Sequence, residues 1–174
     1  MKVRTLAAST AVAAVGAALV AAPAAAGGAR VETTSDVVSY DAAFPTTASA
    51  RVHVVETPSG RAVVTLSVTG LEPNRTYGAH AHVNPCGLTG AAAGPHWQAV
   101  DGPSTPQFAN PDNEIWLDVT TDETGAGTTQ ASRAVPFSPD DRPRSVIIHA
   151  LPTATTPTGS GTAGARLACV TVAF

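Results

Sequence analysis

The chain is short of charge, of cysteine and of helical signals, and each shortage excludes something. Charged residues make up 13% of its 174 residues, and the formal net charge is −3. Its Lys and Arg residues are scattered, with no basic tract and no basic amphipathic helix. A mildly acidic domain of this kind has no electrostatic footprint for nucleic acid. Beyond the first 26 residues no stretch carries a convincing helical period, which argues against a helical or α/β fold. Internal repeats are absent. Cys86 and Cys169 are the only cysteines. In an exported chain such a pair reads as one disulfide, with two free metal-ligating thiols as the alternative. A bridge closing so long a loop contributes about 4–5 kcal/mol in the chain-entropy model.

What the chain does have begins with an export signal. Lys2 and Arg4 form a basic start, residues 6–20 are apolar or small, and Ala24-Ala25-Ala26 suits signal peptidase. Cleavage is expected after Ala26, so residues 1–26 are a signal peptide and the protein is secreted. No cysteine lies near the cleavage site for a lipid anchor, and no transmembrane anchor is expected. Residues 27–45 read as a flexible N-terminal lead, and residues 46–174 as the folded domain.

Within that domain, short β-branched runs alternate with Gly- and Pro-rich turns. Residues 51–56 and 61–69 flank Pro58-Ser59-Gly60 as a strand pair, and Val64, Leu66 and Val68 give the second strand one apolar face. Residues 114–121, 128–135, 144–149 and 166–173 read as further strands. The expected fold is all-β, a Greek-key sandwich or flattened barrel. His53 reads as an ordinary half-exposed strand histidine.

The chemistry gathers at Gly78-Ala79-His80-Ala81-His82. Two histidines two residues apart on a strand project from one face. Imidazole pairs of this kind suit copper or zinc. Residues 84–102 form a long Gly- and Pro-rich segment that carries Cys86 and His96, and long irregular segments in compact domains are usually functional.

Four segments together resemble the copper/zinc superoxide dismutase family: Gly78-Ala79-His80-Ala81-His82; Gly94-Pro95-His96; Ser145-Val146-Ile147-Ile148-His149; and Gly161-Thr162-Ala163-Gly164-Ala165-Arg166-Leu167-Ala168-Cys169. The resemblance implies that family's sandwich with long metal-site loops. It implies one copper per chain, held by His80, His82, His96 and His149, and a Cys86–Cys169 disulfide. It makes superoxide the small-molecule substrate, with Arg166 guiding the anion and His96 carrying a proton. The family's zinc site needs two further histidines and an aspartate after the bridging histidine. Here no histidine lies between His96 and His149, and the chain reads Asn110-Pro111-Asp112-Asn113-Glu114 instead. The loop between His149 and Arg166 is short and uncharged. Zinc is therefore expected to be absent, as in a copper-only branch. Without zinc, the outer nitrogen of His96 needs another partner; Glu114, Asp112 and Asp118 are the candidates, with Glu114 favoured. Trp97 and Trp116 read as packing or loop anchors, and Asp101, Asp140 and Asp141 as loop solvation. The rival to an enzyme is a superoxide dismutase-like module that binds or delivers copper with little catalysis; a sandwich with a dead site is a third reading.

Overall fold

A computed structural model describes residues 30–33, 36–134, 137–138 and 140–174. The expected signal peptide lies outside the described residues. Ten strands are formed among them: β1 (Arg30–Thr33), β2 (Val38–Ser39), β3 (Ser49–Glu56), β4 (Ala62–Thr69), β5 (Thr76–Tyr77), β6 (Ala79–His82), β7 (Val119–Thr120), β8 (Gly127–Arg133), β9 (Ser145–His149) and β10 (Arg166–Thr171). The one helical element among the described residues is a 3-10 turn, Gly90–Ala93, and none is long and apolar enough to cross a membrane. Two four-stranded antiparallel sheets, β1-β3-β4-β8 and β2-β10-β9-β6, make a sandwich, with β5-β7 as a small third ladder. The non-consecutive neighbours β4–β8 and β6–β9 are Greek-key crossovers.

The alternation read from the sequence decides which residues fill the sandwich. Val52, Val54, Val64 and Leu66 of the first sheet face Ala79, Ala81, Val146, Ile148, Ala168 and Val170 of the second, all fully or nearly fully buried. Arg51 and His53 fall on the other face of β3, as their parity requires. The second sheet is covered on both sides. Its outer face packs Ile147 and Cys169 against Ala93 of the 3-10 turn. This explains why Ser145-Val146-Ile147-Ile148-His149 is buried at every position. Cys86 and Cys169 are joined as a disulfide, so the thiol alternative falls and the loop before His96 is tied to β10.

Two expectations need correction. The N-terminal stretch expected as a flexible lead supplies edge strands. β1 pairs with β3 from Arg30↔Val55 to Thr33↔Val52, and β2 pairs with β10. Tyr40 adds a backbone bond to Leu167 and a hydroxyl bond to the Gly87 carbonyl, while Phe44 is buried in the core. Short β-branched runs such as Val37-Val38 are weak signals alone, but open sheet edges give their backbones partners. Residues 114–121 also do not form one strand. Only Val119–Thr120 joins a ladder; before it, isolated bridges link Glu114 to Gln98 and Trp116 to His80.

Removing the disulfide by Cys86→Ser with Cys169→Ser should lower unfolding free energy by about 2–5 kcal/mol. Urea titration of both proteins measures this, and an unchanged midpoint would refute it.

Candidate metal centre

Strand parity brings the histidines together. On β6 the small Ala79 and Ala81 point into the sandwich, so His80 and His82 point out of its other side. His80 lies opposite Ile147 and His82 opposite Ser145 on β9. Two residues beyond Ile147 on that same face is His149. The fourth histidine, His96, arrives on the loop behind the disulfide and forms an isolated bridge to His82. Ring centroids lie 4.1 Å apart for His80–His96, 4.8 Å for His82–His96 and 4.9 Å for His80–His149. One nitrogen from each of the four falls within 4.8 Å of the others.

Each imidazole is tied down by its outer nitrogen. His82 Nδ1 donates to the Gly94 carbonyl at 3.0 Å, and His149 Nδ1 to the Gly164 carbonyl at 3.3 Å. His96 Nδ1 bonds Glu114 Oε2 at 2.7 Å, and His80 Nε2 lies 2.7 Å from Thr153 Oγ1. The inner nitrogens of three rings, His80 Nδ1, His82 Nε2 and His149 Nε2, are buried with no hydrogen-bond partner. Burial, reinforced by the crowding of the other three imidazoles and by Arg166, holds His80 far below the usual imidazole pKa. Burial likewise pushes His82 down to about 2 and His149 down to about 4. These rings are neutral at pH 7 and carry lone pairs on their inner nitrogens.

The surrounding shell is polar and specific. Burial works to raise the Glu114 carboxyl, but bonds from His96, Trp116 Nε1 and Gln98 Nε2 outweigh it and hold it below its usual value. Arg166 donates to the carbonyls of Gly90 (2.7 Å) and Gly94 (2.8 Å). The Gly94 carbonyl thus orients both His82 and Arg166. Gly94 has φ +74°, and a Cβ there would fall 2.8 Å from Val83 Cγ2, so this turn requires glycine.

A β-bulge puts Arg166 where it is. Ala168 pairs with Ile148, yet Arg166 pairs with His149, leaving Leu167 as the extra residue. In unbroken alternation Arg166 would share the core-facing parity of Ala168 and Val170. The bulge absorbs Leu167, so Arg166 falls opposite His149 and its guanidinium emerges on the histidine face. Arg166, His96, His149 and Glu114 line one cavity of about 570 Å³.

The family described as copper/zinc superoxide dismutase (SODC) matches residues 48–172. This chain belongs to the copper/zinc superoxide dismutase family. Among solved structures, the crystal structure of the clock protein EA4 superposes with a TM-score of 0.58 at 17% identity, covering 87% of this chain and 98% of that one. That likeness concerns the fold. No curated protein matches the chain.

The histidine cluster fits the metal that this family implies. Three buried, neutral, unpartnered nitrogens facing one another satisfy nothing within the protein, and a borderline cation is the partner their chemistry suits. Of the three carboxylates considered for His96, Glu114 is the one on its ring. Asp118 stands behind His80 through Thr153, and Asp112 is exposed in the loop, its carbonyl taken by Arg133. Thr153, Gln98 and the Gly94 carbonyl were not singled out from the sequence; nothing in a Thr/Pro/Gly loop marks one hydroxyl among many. Trp116 goes beyond an anchor, because it bonds Glu114 at 2.6 Å and packs edge-on to His80 at 5.9 Å. Trp97 is a packing anchor against Phe137, and its Nε1 is received by Asp141, which is therefore more than loop solvation.

Adding Cu²⁺ to metal-free protein should raise its thermal midpoint, with a gain of about 2.7 kcal/mol at a hundredfold excess over Kd. His82→Ala should lose that gain. Scanning calorimetry of both decides it, and a copper-independent midpoint in the parent chain would contradict the fit.

Proposed function

We propose that this protein is an exported, copper-dependent superoxide dismutase carrying one copper and no zinc, which converts 2 O₂•⁻ and 2 H⁺ to O₂ and H₂O₂. The observation that carries the reading is Arg166, bulged onto the same face as the four histidines and lining the same cavity. His80, His82, His96 and His149 would hold the copper. When bound, copper supplies a centre that alternates between two oxidation states, taking an electron from one superoxide and returning it to another.

The chain's own residues do the rest. Arg166 is a fixed cation at the cavity wall, and its guanidinium attracts a small anion and can offer it donors. Its bonds to Gly90 and Gly94 keep it from collapsing elsewhere. His96 is the least buried of the four side chains, 17% exposed, and reaches the cavity. With Nδ1–H held by Glu114, its Nε2 is the atom that can take up and hand on a proton. The buried carboxylate stabilises the imidazolium that forms, as in other carboxylate–histidine pairs. The same contact supports the absence of zinc. A histidine bridging two metals needs both ring nitrogens, and Nδ1 is engaged by Glu114. The chain has no histidine between His96 and His149 to complete a second site. Export rests on the signal read at residues 1–26.

A copper-handling module is the second reading, favoured by the missing zinc ligands and the short loop before Arg166. Copper binding alone gives that guanidinium no task. Arg166→Ala separates the two. As an enzyme, the copper-loaded variant should dismutate superoxide at least about tenfold more slowly, with weakened dependence on ionic strength and little change in copper affinity. Pulse radiolysis with copper titration measures both. A copper-loaded parent chain no faster than its buffer control would overturn the enzyme reading in favour of the module.

A further inference from the structure

We propose that Thr153 and Asp118 select the metal-facing nitrogen of His80 and strengthen it as a donor, an assignment that rests on the copper reading above. The argument is a proton count. Asp118 Oδ2 accepts the backbone N–H of Thr153 at 2.8 Å, and Oδ1 accepts the Thr153 hydroxyl. A threonine hydroxyl has a single proton. Once that proton is given to Asp118, Oγ1 can meet His80 Nε2, 2.7 Å away, only as an acceptor. His80 is therefore the Nε2–H tautomer. Its lone pair lies on Nδ1, which is the buried atom without a partner.

The other three rings are held the opposite way round. Each is tied through Nδ1, by the Gly94 carbonyl, the Gly164 carbonyl or Glu114, so that Nε2 faces inward. His80 alone must present Nδ1. No carbonyl serves it; a hydroxyl polarised by a full carboxylate does. Such a relay makes His80 a stronger donor than a carbonyl-held imidazole, because the hydroxyl oxygen becomes more negative as its proton moves toward Asp118. Close approach makes the relay possible. A Cβ on Gly78 would fall 2.6 Å from Ala163 Cβ, 2.7 Å from the Leu151 carbonyl and 3.0 Å from Thr153 Oγ1. Only glycine lets the 150s loop close over β6 far enough for Thr153 to reach the ring. The relay is a positioning device and touches neither substrate nor metal.

Two measurements test it. Long-range ¹H–¹⁵N correlation spectra of the metal-free chain report histidine tautomers without copper, so this arm stands or falls separately from the enzyme reading. Wild type should show His80 as Nε2–H; an Nδ1–H signature there would overturn the proposal. In Thr153→Val, which keeps the shape and removes the hydroxyl, Cu²⁺ affinity should fall about 10- to 100-fold with a changed Cu²⁺ electron paramagnetic resonance spectrum. Thr153→Ser should restore both. Wild-type affinity and an unchanged spectrum in Thr153→Val would refute the relay. Should Thr153→Val fail to fold, Asp118→Asn keeps an acceptor oxygen but removes the charge. It should shift affinity in the same direction by a smaller factor, and no shift would equally count against the proposal.

Discussion

The constraint on which the rest of this structure depends is the convergence of four imidazoles in a space with no internal partner for their inner nitrogens. Buried polar atoms left unsatisfied cost stability, and here three are gathered in one place. The surrounding architecture holds them there despite that cost. The second sheet, covered on both faces, gives two strands rigid enough to fix His80, His82 and His149. The disulfide anchors the loop that carries His96. Two backbone carbonyls, the Glu114 carboxylate and the Thr153 hydroxyl take the outer nitrogens, so that no ring can turn away from the centre.

The site is also economical in its connections. The Gly94 carbonyl serves His82 and the Arg166 guanidinium at once, so the guanidinium and the histidine cluster are coupled through one atom. Glu114 collects His96, Trp116 and Gln98, which makes it a hub as well as a partner to His96. Three donors on one buried carboxylate keep it ionised, and an ionised carboxylate is what holds His96 in a single tautomer.

Much of this was legible in the residues themselves. Period-two alternation put Val64, Leu66 and Val68 in the core, and set His80 and His82 on a common face. The four family-like segments named the histidine set and the cysteine pair. Other features were hidden for physical reasons. The edge strands near residues 30–39 depend on partners far away in the chain, which local propensity does not register. Thr153 and Asp118 are separated by 35 residues and meet only through the closure of a loop over Gly78. Asp118, read beside His96, belongs instead to His80, because one carboxylate looks like another until the fold chooses its neighbour.

The bulge at Leu167 has a consequence for how such a chain can change over generations. A deletion of Leu167 would restore regular alternation: Arg166 would follow directly on Ala168, stay opposite His149 and keep its guanidinium on the histidine face, at the cost of one buried leucine. Strand length can therefore change at this point without a change of face. The same one-residue loss between Ala168 and Thr171, with the bulge kept, would reverse the face of Arg166 while leaving all four histidines in place.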